Sequence, residues 1–140
     1  KQVLSEAEGN GSKFALIFID LNRFKPVNDQ YGHDAGDLLL RKIGQRLCTS
    51  VRKADLVARM GGDEFILLLD RIRDDEDTAQ IMDKVRDAVE RPCQLTSELT
   101  VKVSAAMGVA IYPDDGVFID ELLNTADHLM YRDKRVGVRG

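Results

Sequence analysis

The feature that most constrains this chain is the stretch Leu56-Val57-Ala58-Arg59-Met60-Gly61-Gly62-Asp63-Glu64-Phe65-Ile66-Leu67-Leu68-Leu69. Two apolar runs of strand length meet at a glycine pair, and glycine takes the positive φ that a tight hairpin demands. Asp63 and Glu64 follow where the chain re-enters a strand. Successive strand side chains point to opposite faces, so only one of these carboxylates can point away from the face of Phe65. Taken alone, the pattern reads as a hairpin with a solvated acidic tip. A second acidic strand end upstream, Phe14-Ala15-Leu16-Ile17-Phe18-Ile19-Asp20, opens another reading. Two carboxylates, each ending a buried apolar strand, are costly unless something cationic sits between them.

The chain has 140 residues, enough for one domain with a real core. Its longest apolar runs, Phe14 to Ile19 and Phe65 to Leu69, are far too short to cross a bilayer. A net charge of −4 argues against a general surface for nucleic-acid polymers, though not against a nucleotide pocket. Cys48 and Cys93 stand in no metal-ligand spacing and read as structural thiols of a reducing compartment. His33 and His128 are isolated and are not read as metal ligands. A start at Lys1 and an end at Val138-Arg139-Gly140 read as an excised domain, so segments beyond it are not judged.

Residues 1–13 are polar and read as a linker or the end of a preceding helix. Strand one runs from about Phe14 to Asp20, and its continuous apolar character suggests a central position. A loop and short helix follow from Leu21 to Tyr31. The next helix, about Ala35 to Val51, stacks Leu39, Ile43 and Leu47 on one face, widened by Leu38 and Leu40. After the hairpin, Arg71 to Asp77 is a charge run, and Asp77 or Thr78 can cap a helix carrying Ile81, Met82, Val85 and Val89. Pro92 ends that helix. Leu99 to Tyr112 reads as one further strand, Pro113 to Gly116 as a turn. A last helix, about Ile119 to Lys134, would bury Leu122, Leu123, Ala126, Leu129 and Met130. The order β-α-α-β-β-α-β-α predicts an α/β or α+β sandwich, a mixed central sheet flanked by helices.

If strand one and the hairpin are neighbours, Asp20 and Asp63 converge at one edge of the sheet. Hard oxygen ligands of this kind suit Mg²⁺, which keeps several waters and accepts phosphate oxygens. Lys25 follows strand one, where the backbone N–H groups of residues 22–25 can also meet an anion. Lys134 is a second candidate phosphate contact. Asn28 and Asp37 offer an amide and a carboxylate, the pairing that reads a guanine edge. Each also has a purely structural reading: Asn28 closing a turn, Asp37 favouring a helix N-terminus, Lys134 as a solvated helix end. Spacing alone leaves both open.

Phe18-Ile19-Asp20-Leu21-Asn22-Arg23-Phe24-Lys25-Pro26-Val27-Asn28-Asp29, Gly32-His33, Gly36-Asp37 and Arg59-Met60-Gly61-Gly62-Asp63-Glu64-Phe65 together resemble the GGDEF-domain diguanylate cyclases. Ala106-Met107-Gly108-Val109-Ala110 and the segment from Ala126-Asp127 through Tyr131 to Lys134 fit the same family. The resemblance covers residues 14–137, with 138–140 as the start of a C-terminal linker. It implies a palm-like nucleotidyl cyclase fold and the condensation of two GTP into cyclic di-GMP with release of pyrophosphate. It implies two Mg²⁺ ions, with Mn²⁺ as a substitute, held by Asp20, Asp63 and the Leu21 carbonyl. Glu64, with Asp63 and Lys25, would be catalytic, while Phe24, Asn28, Asp37 and Lys134 would bind substrate. Arg52-Lys53-Ala54-Asp55 resembles the family's inhibitory product site through Arg52 and Asp55. One domain holds one GTP, so the implied working unit is a homodimer with facing sites. The domain would be cytoplasmic, compatible with a membrane anchor elsewhere, and would touch neither membrane nor nucleic-acid polymer.

Two departures stand out. Asn22 occupies a position where many members carry a second Asp, and Gly137 is followed by Val138 where the family often has Arg, leaving Arg139 one residue late. The alternative function is a regulatory module of a larger signalling protein, for example one with a phosphodiesterase domain, that binds GTP or cyclic di-GMP as an effector. A decayed structural domain is a third reading, opposed by intact Asp20, Lys25, Asn28, Asp37, Asp63 and Glu64.

Overall fold

The computed structural model describes residues 13–22, 24–73 and 75–139, with residues 75, 76 and 135–139 as main chain only. The expected leading linker therefore lies outside the described residues apart from Lys13, which already belongs to the first strand. In order the elements are β1 (Lys13–Asn22), α1 (Phe24–Tyr31), α2 (His33–Ser50), β2 (Leu56–Gly61), β3 (Glu64–Ile72) and α3 (Asp75–Glu90). Then come β4 (Cys93–Gln94), β5 (Thr100–Val101), β6 (Ser104–Tyr112) and α4 (Ile119–Arg139). No described helix is long and apolar enough to cross a membrane.

The main sheet has the order β2-β3-β1-β6, and each ladder in it is antiparallel. The expected mixed sheet is thus corrected to an antiparallel one. The helical crossover from β1 leads to β2, but the hairpin turns back at once and β3 takes the place beside β1. Likewise α3 leads from β3 to β6 across β1. Each crossover skips one strand, so its parallel partners never touch; this is the split β-α-β arrangement.

The expected single strand from Leu99 to Tyr112 is divided. Thr100–Val101 pairs with Cys93–Gln94 in a separate ribbon, and Ser104–Tyr112 joins β1. Val101, Val103 and Ala105 are all buried, so the inward phase continues while the ladder partner changes. Alternation reports burial, not pairing. The cap expected at Asp77 or Thr78 is also displaced: α3 starts at Asp75, and the Asp77 carboxylate accepts from the Arg73 N–H at 3.3 Å from inside the first turn.

The two faces of β1 bury different layers. Ala15, Ile17, Ile19 and Leu21 join Phe65, Leu67 and Leu69 against Leu39, Ile43 and Leu47 of α2 and Ile81, Val85 and Val89 of α3. Phe14, Leu16, Ala110 and Tyr112 pack against Leu122 and Ala126 of α4, with the Phe14 and Tyr112 rings stacked at 5.1 Å. At Gly108 the helix lies directly on the strand. A Cβ there would fall 2.0 Å from the Ala126 carbonyl oxygen and 2.3 Å from the Met130 nitrogen. That approach carries the far end of α4, with Lys134, to the edge where β1 ends.

Candidate nucleotide and metal site

Gly61 and Gly62 have φ of +144° and +51°, and Gly61 pairs with Glu64 across the turn, as the glycine pair predicts. Asp63 is thereby held in the turn and Glu64 opens β3. In the neighbouring ladder Asp20 stands directly opposite Glu64, and the Leu21 N–H donates to the Asp63 carbonyl at 3.1 Å. The carboxyl groups of Asp20, Asp63 and Glu64 therefore meet at one sheet edge. Burial raises the Asp63 carboxyl, and the Asp20 charge beside it raises it further, against the pull of its own backbone N–H and of Lys134. Glu64 is raised by burial first, then by the charges of Asp20, Asp63 and Asp127.

Lys134 donates to Asp20 Oδ2 at 3.0 Å, so its ammonium already answers part of this negative charge. Asp20 Oδ1 is buried without a hydrogen-bond partner. Such an oxygen calls for a cation or a donor. Among the described residues no group of three or more His, Cys, Asp or Glu side chains is arranged around a metal position. Mg²⁺ that keeps most of its waters needs only one or two carboxylates, and the oxygen set here fits that coordination.

On the other face of β1, Phe24 and Asn28 of α1 meet Gly36 of α2, where a Cβ would lie 1.7 Å from Asn28 Oδ1 and 3.2 Å from Phe24 Cζ. Asp37 follows Gly36 directly, is exposed, and borders a cleft of about 880 Å³ floored by Leu40, Val57 and Phe65. Asn28 and Asp37 are therefore neighbours in space, beside the aromatic ring of Phe24. Asn28 Oδ1 is a second buried oxygen without a partner. Lys25 is exposed in the first turn of α1, whereas Arg23 lies outside the described residues.

Arg52 and Asp55 form a network between β2 and β3. Asp55, with a fully buried carboxylate, accepts from Arg52 Nε and Nη2 at 3.1 Å each and from the N–H groups of Arg52 and Asp70 at 2.9 Å each. Arg52 Nη2 also donates to the Asp70 carbonyl. Hydrogen bonding to Asp55 raises the Arg52 guanidinium above its ordinary value.

Three residues make contacts that sequence reasoning did not assign to them. Asn22 donates to Ser104 Oγ at 3.0 Å and leaves its own Oδ1 buried and unpartnered. Asp127 bears on Glu64 from α4, and Gly36 makes room for Asn28. Asp127 lies two turns before Lys134, a spacing visible in the sequence; the Asn22–Ser104 pair had no local signal. The side chains of Val138 and Arg139 lie outside the described residues, though their main chain continues α4.

A profile of the family described as "Diguanylate cyclase, GGDEF domain" matches residues 1–139. The bifunctional diguanylate cyclase/cyclic di-GMP phosphodiesterase MucR of Pseudomonas aeruginosa is 41% identical over 140 residues, covering 100% of this chain and 20% of MucR. The crystallised GGDEF domain of TpbB (YfiN) from the same organism superimposes with a TM-score of 0.92 at 39% identity, covering 96% of this chain and 83% of that one. The GGDEF domain of DgcB from Caulobacter crescentus, solved with c-di-GMP, has a TM-score of 0.84 at 25% identity, covering 97% and 80%. The chain spans a fifth of MucR and 31% of full-length TpbB. With the profile spanning nearly every residue, the chain belongs to the GGDEF family of diguanylate cyclase domains.

Proposed function

We propose that this domain condenses two GTP into cyclic di-GMP and pyrophosphate across a two-fold dimer. The observation that carries this reading is the meeting of Asp20, Asp63 and Glu64 at one sheet edge, with a buried oxygen of Asp20 lacking any partner. Asp20, Asp63 and the Leu21 carbonyl would hold Mg²⁺, two ions in the complete site, with Mn²⁺ as a substitute. When bound, such ions supply positive charge against the triphosphate and the leaving pyrophosphate.

The chain's own groups do the rest. Phe24, Asn28 and Asp37 orient the guanine. Lys134, released from Asp20, and Lys25 turn their ammonium groups to the phosphates. Glu64 is suited to accept the proton of the 3′-hydroxyl contributed by the GTP of the facing domain, because its environment raises its proton affinity. The 3′-oxygen bonds to the α-phosphorus as the bond to the pyrophosphate oxygen breaks, and a second such event closes the ring. Each domain supplies one GTP, so dimerisation through a fused coiled coil raises turnover per domain. The test is incubation with Mg²⁺ and GTP followed by chromatography for cyclic di-GMP. No product from the dimerised fusion would refute catalysis.

Arg52 and Asp55 form the proposed inhibitory site for the product. The Arg52 side chain keeps 43% of its surface exposed, enough to clamp a phosphate or stack on guanine while Asp55 anchors it. Calorimetry with cyclic di-GMP should show binding that Arg52→Ala abolishes; undiminished binding removes this assignment. A second reading, a GTP- or cyclic di-GMP-responsive regulatory module, is favoured by the Lys134–Asp20 ion pair, which answers part of the site's negative charge without a metal. MucR's name joins cyclase and phosphodiesterase in one protein, an architecture this reading would share. Thermal protection by GTP without product selects it.

A further inference from the structure

We infer that Gly36 is the positioning residue for base selectivity: it admits the one Asn28 side-chain orientation that reads guanine. The inference rests on the assignment of Asn28 and Asp37 to the guanine base. Gly36 is buried in the first turn of α2, and nothing in its backbone requires glycine, since its φ lies outside the left-handed region. In such a position glycine is a poorer helix former than alanine. What it provides is space. A Cβ at Gly36 would lie 1.7 Å from Asn28 Oδ1 and 2.8 Å from Asn28 Cγ, so the observed Asn28 orientation cannot coexist with a side chain there.

The main chain around Asn28 is fixed independently. The Gly32 N–H donates to the Asn28 carbonyl at 2.8 Å, and the Gly36 N–H to the Gly32 carbonyl at 3.2 Å. A methyl group at residue 36 therefore displaces the Asn28 carboxamide rather than the helices. In its present orientation the carboxamide keeps its oxygen buried and unpartnered against Gly36. With its oxygen held against Gly36, the carboxamide has its Nδ2 donor left to offer a base, near the exposed Asp37 carboxylate. Guanine's adjacent N1–H and N2–H₂ donors match the two oxygens of the Asp37 carboxylate, and a neighbouring guanine acceptor matches the amide donor; adenine's N1 carries no hydrogen, so it cannot satisfy that carboxylate. A site built on such hydrogen bonds loses discrimination when its amide is turned away.

The test uses the intact domain and non-hydrolysable analogues of GTP and ATP, read by calorimetry, together with the Asn28 side-chain amide resonances. Gly36→Ala should weaken the GTP analogue by about 10- to 100-fold and change the ATP analogue by less than about twofold. It should also shift the Asn28 amide resonances. In an Asn28→Ala background, adding Gly36→Ala should change GTP-analogue affinity by less than about twofold, because the clashing group is gone. Unshifted Asn28 resonances with wild-type affinity in Gly36→Ala overturn the inference, as does an equal loss in both backgrounds. If Asn28→Ala binds the GTP analogue like wild type, the guanine assignment itself fails and takes the inference with it. Should Gly36→Ala not fold, folding of the double variant supports the inference and its failure to fold overturns it.

Discussion

Gly108→Ala tests how tightly the site depends on the packing of α4. The added methyl would lie 2.0 Å from the Ala126 carbonyl oxygen, 2.3 Å from the Met130 nitrogen and 3.0 Å from the Leu129 carbonyl carbon. All three are main-chain atoms, so no rotamer change relieves the contact. Restoring a separation of about 3.5 Å parts helix and strand by more than about 1 Å. A gap of that size forfeits a quarter to a half of the dispersion contact across Leu122, Ala126, Leu16 and Ala110. Overpacking against rigid neighbours costs about 3 kcal/mol, which for a domain of this length lowers the melting midpoint by roughly 10 °C. Lys134 lies one turn beyond Met130, so its 3.0 Å contact with Asp20 should open as well. Gly44→Ala is the matched control: its Cβ would meet only Phe65 Cε1, at 3.6 Å, and in a helix interior it should raise stability by about 0.5–1 kcal/mol. Calorimetric melting of both variants decides the matter. A Gly108→Ala domain melting within about 2 °C of wild type refutes the close-approach argument.

Three further outcomes are expected. Because Asp63 and Glu64 are raised, the native state binds more protons than the unfolded chain just above the ordinary carboxylate range. Stability of the metal-free domain therefore increases as pH falls into that window and declines as pH rises through it. Asp63→Asn should flatten the dependence and remove stabilisation by Mg²⁺, both visible in melts from about pH 4 to 8. Asp55→Ala strips partners from two backbone N–H groups and the Arg52 guanidinium, and should cost about 2–4 kcal/mol in urea denaturation; a loss below about 0.5 kcal/mol would mean the network is not structural. Lys134→Ala removes the ammonium competing for Asp20, so Mg²⁺ should bind several-fold more tightly to the nucleotide-free domain while GTP binds more weakly; matching signs in calorimetry would contradict the placement of Lys134.

What could be read from the sequence follows from how local each cause is. The hairpin was legible because Gly61 and Gly62 carry their own backbone requirement, and α2 because Leu39, Ile43 and Leu47 repeat at the helical period. The sheet's antiparallel character was not, because it depends on which strand fills the gap each crossover leaves. Division of the expected strand at Lys102 was hidden for a related reason: Val101 and Val103 stay inward on both sides of the break. At the site, residue types were legible and pairings were not. Asp20 and Lys134 are 114 positions apart, and only the seating of α4 on Gly108 brings them within 3.0 Å. The same holds for Gly36, whose lack of a side chain looks like punctuation in the sequence and becomes a constraint on Asn28 only once α1 and α2 are folded together. Small residues at such approaches thus fix the geometry that the charged residues use, and glycines in this chain should be weighed by what they face rather than by the turns they permit.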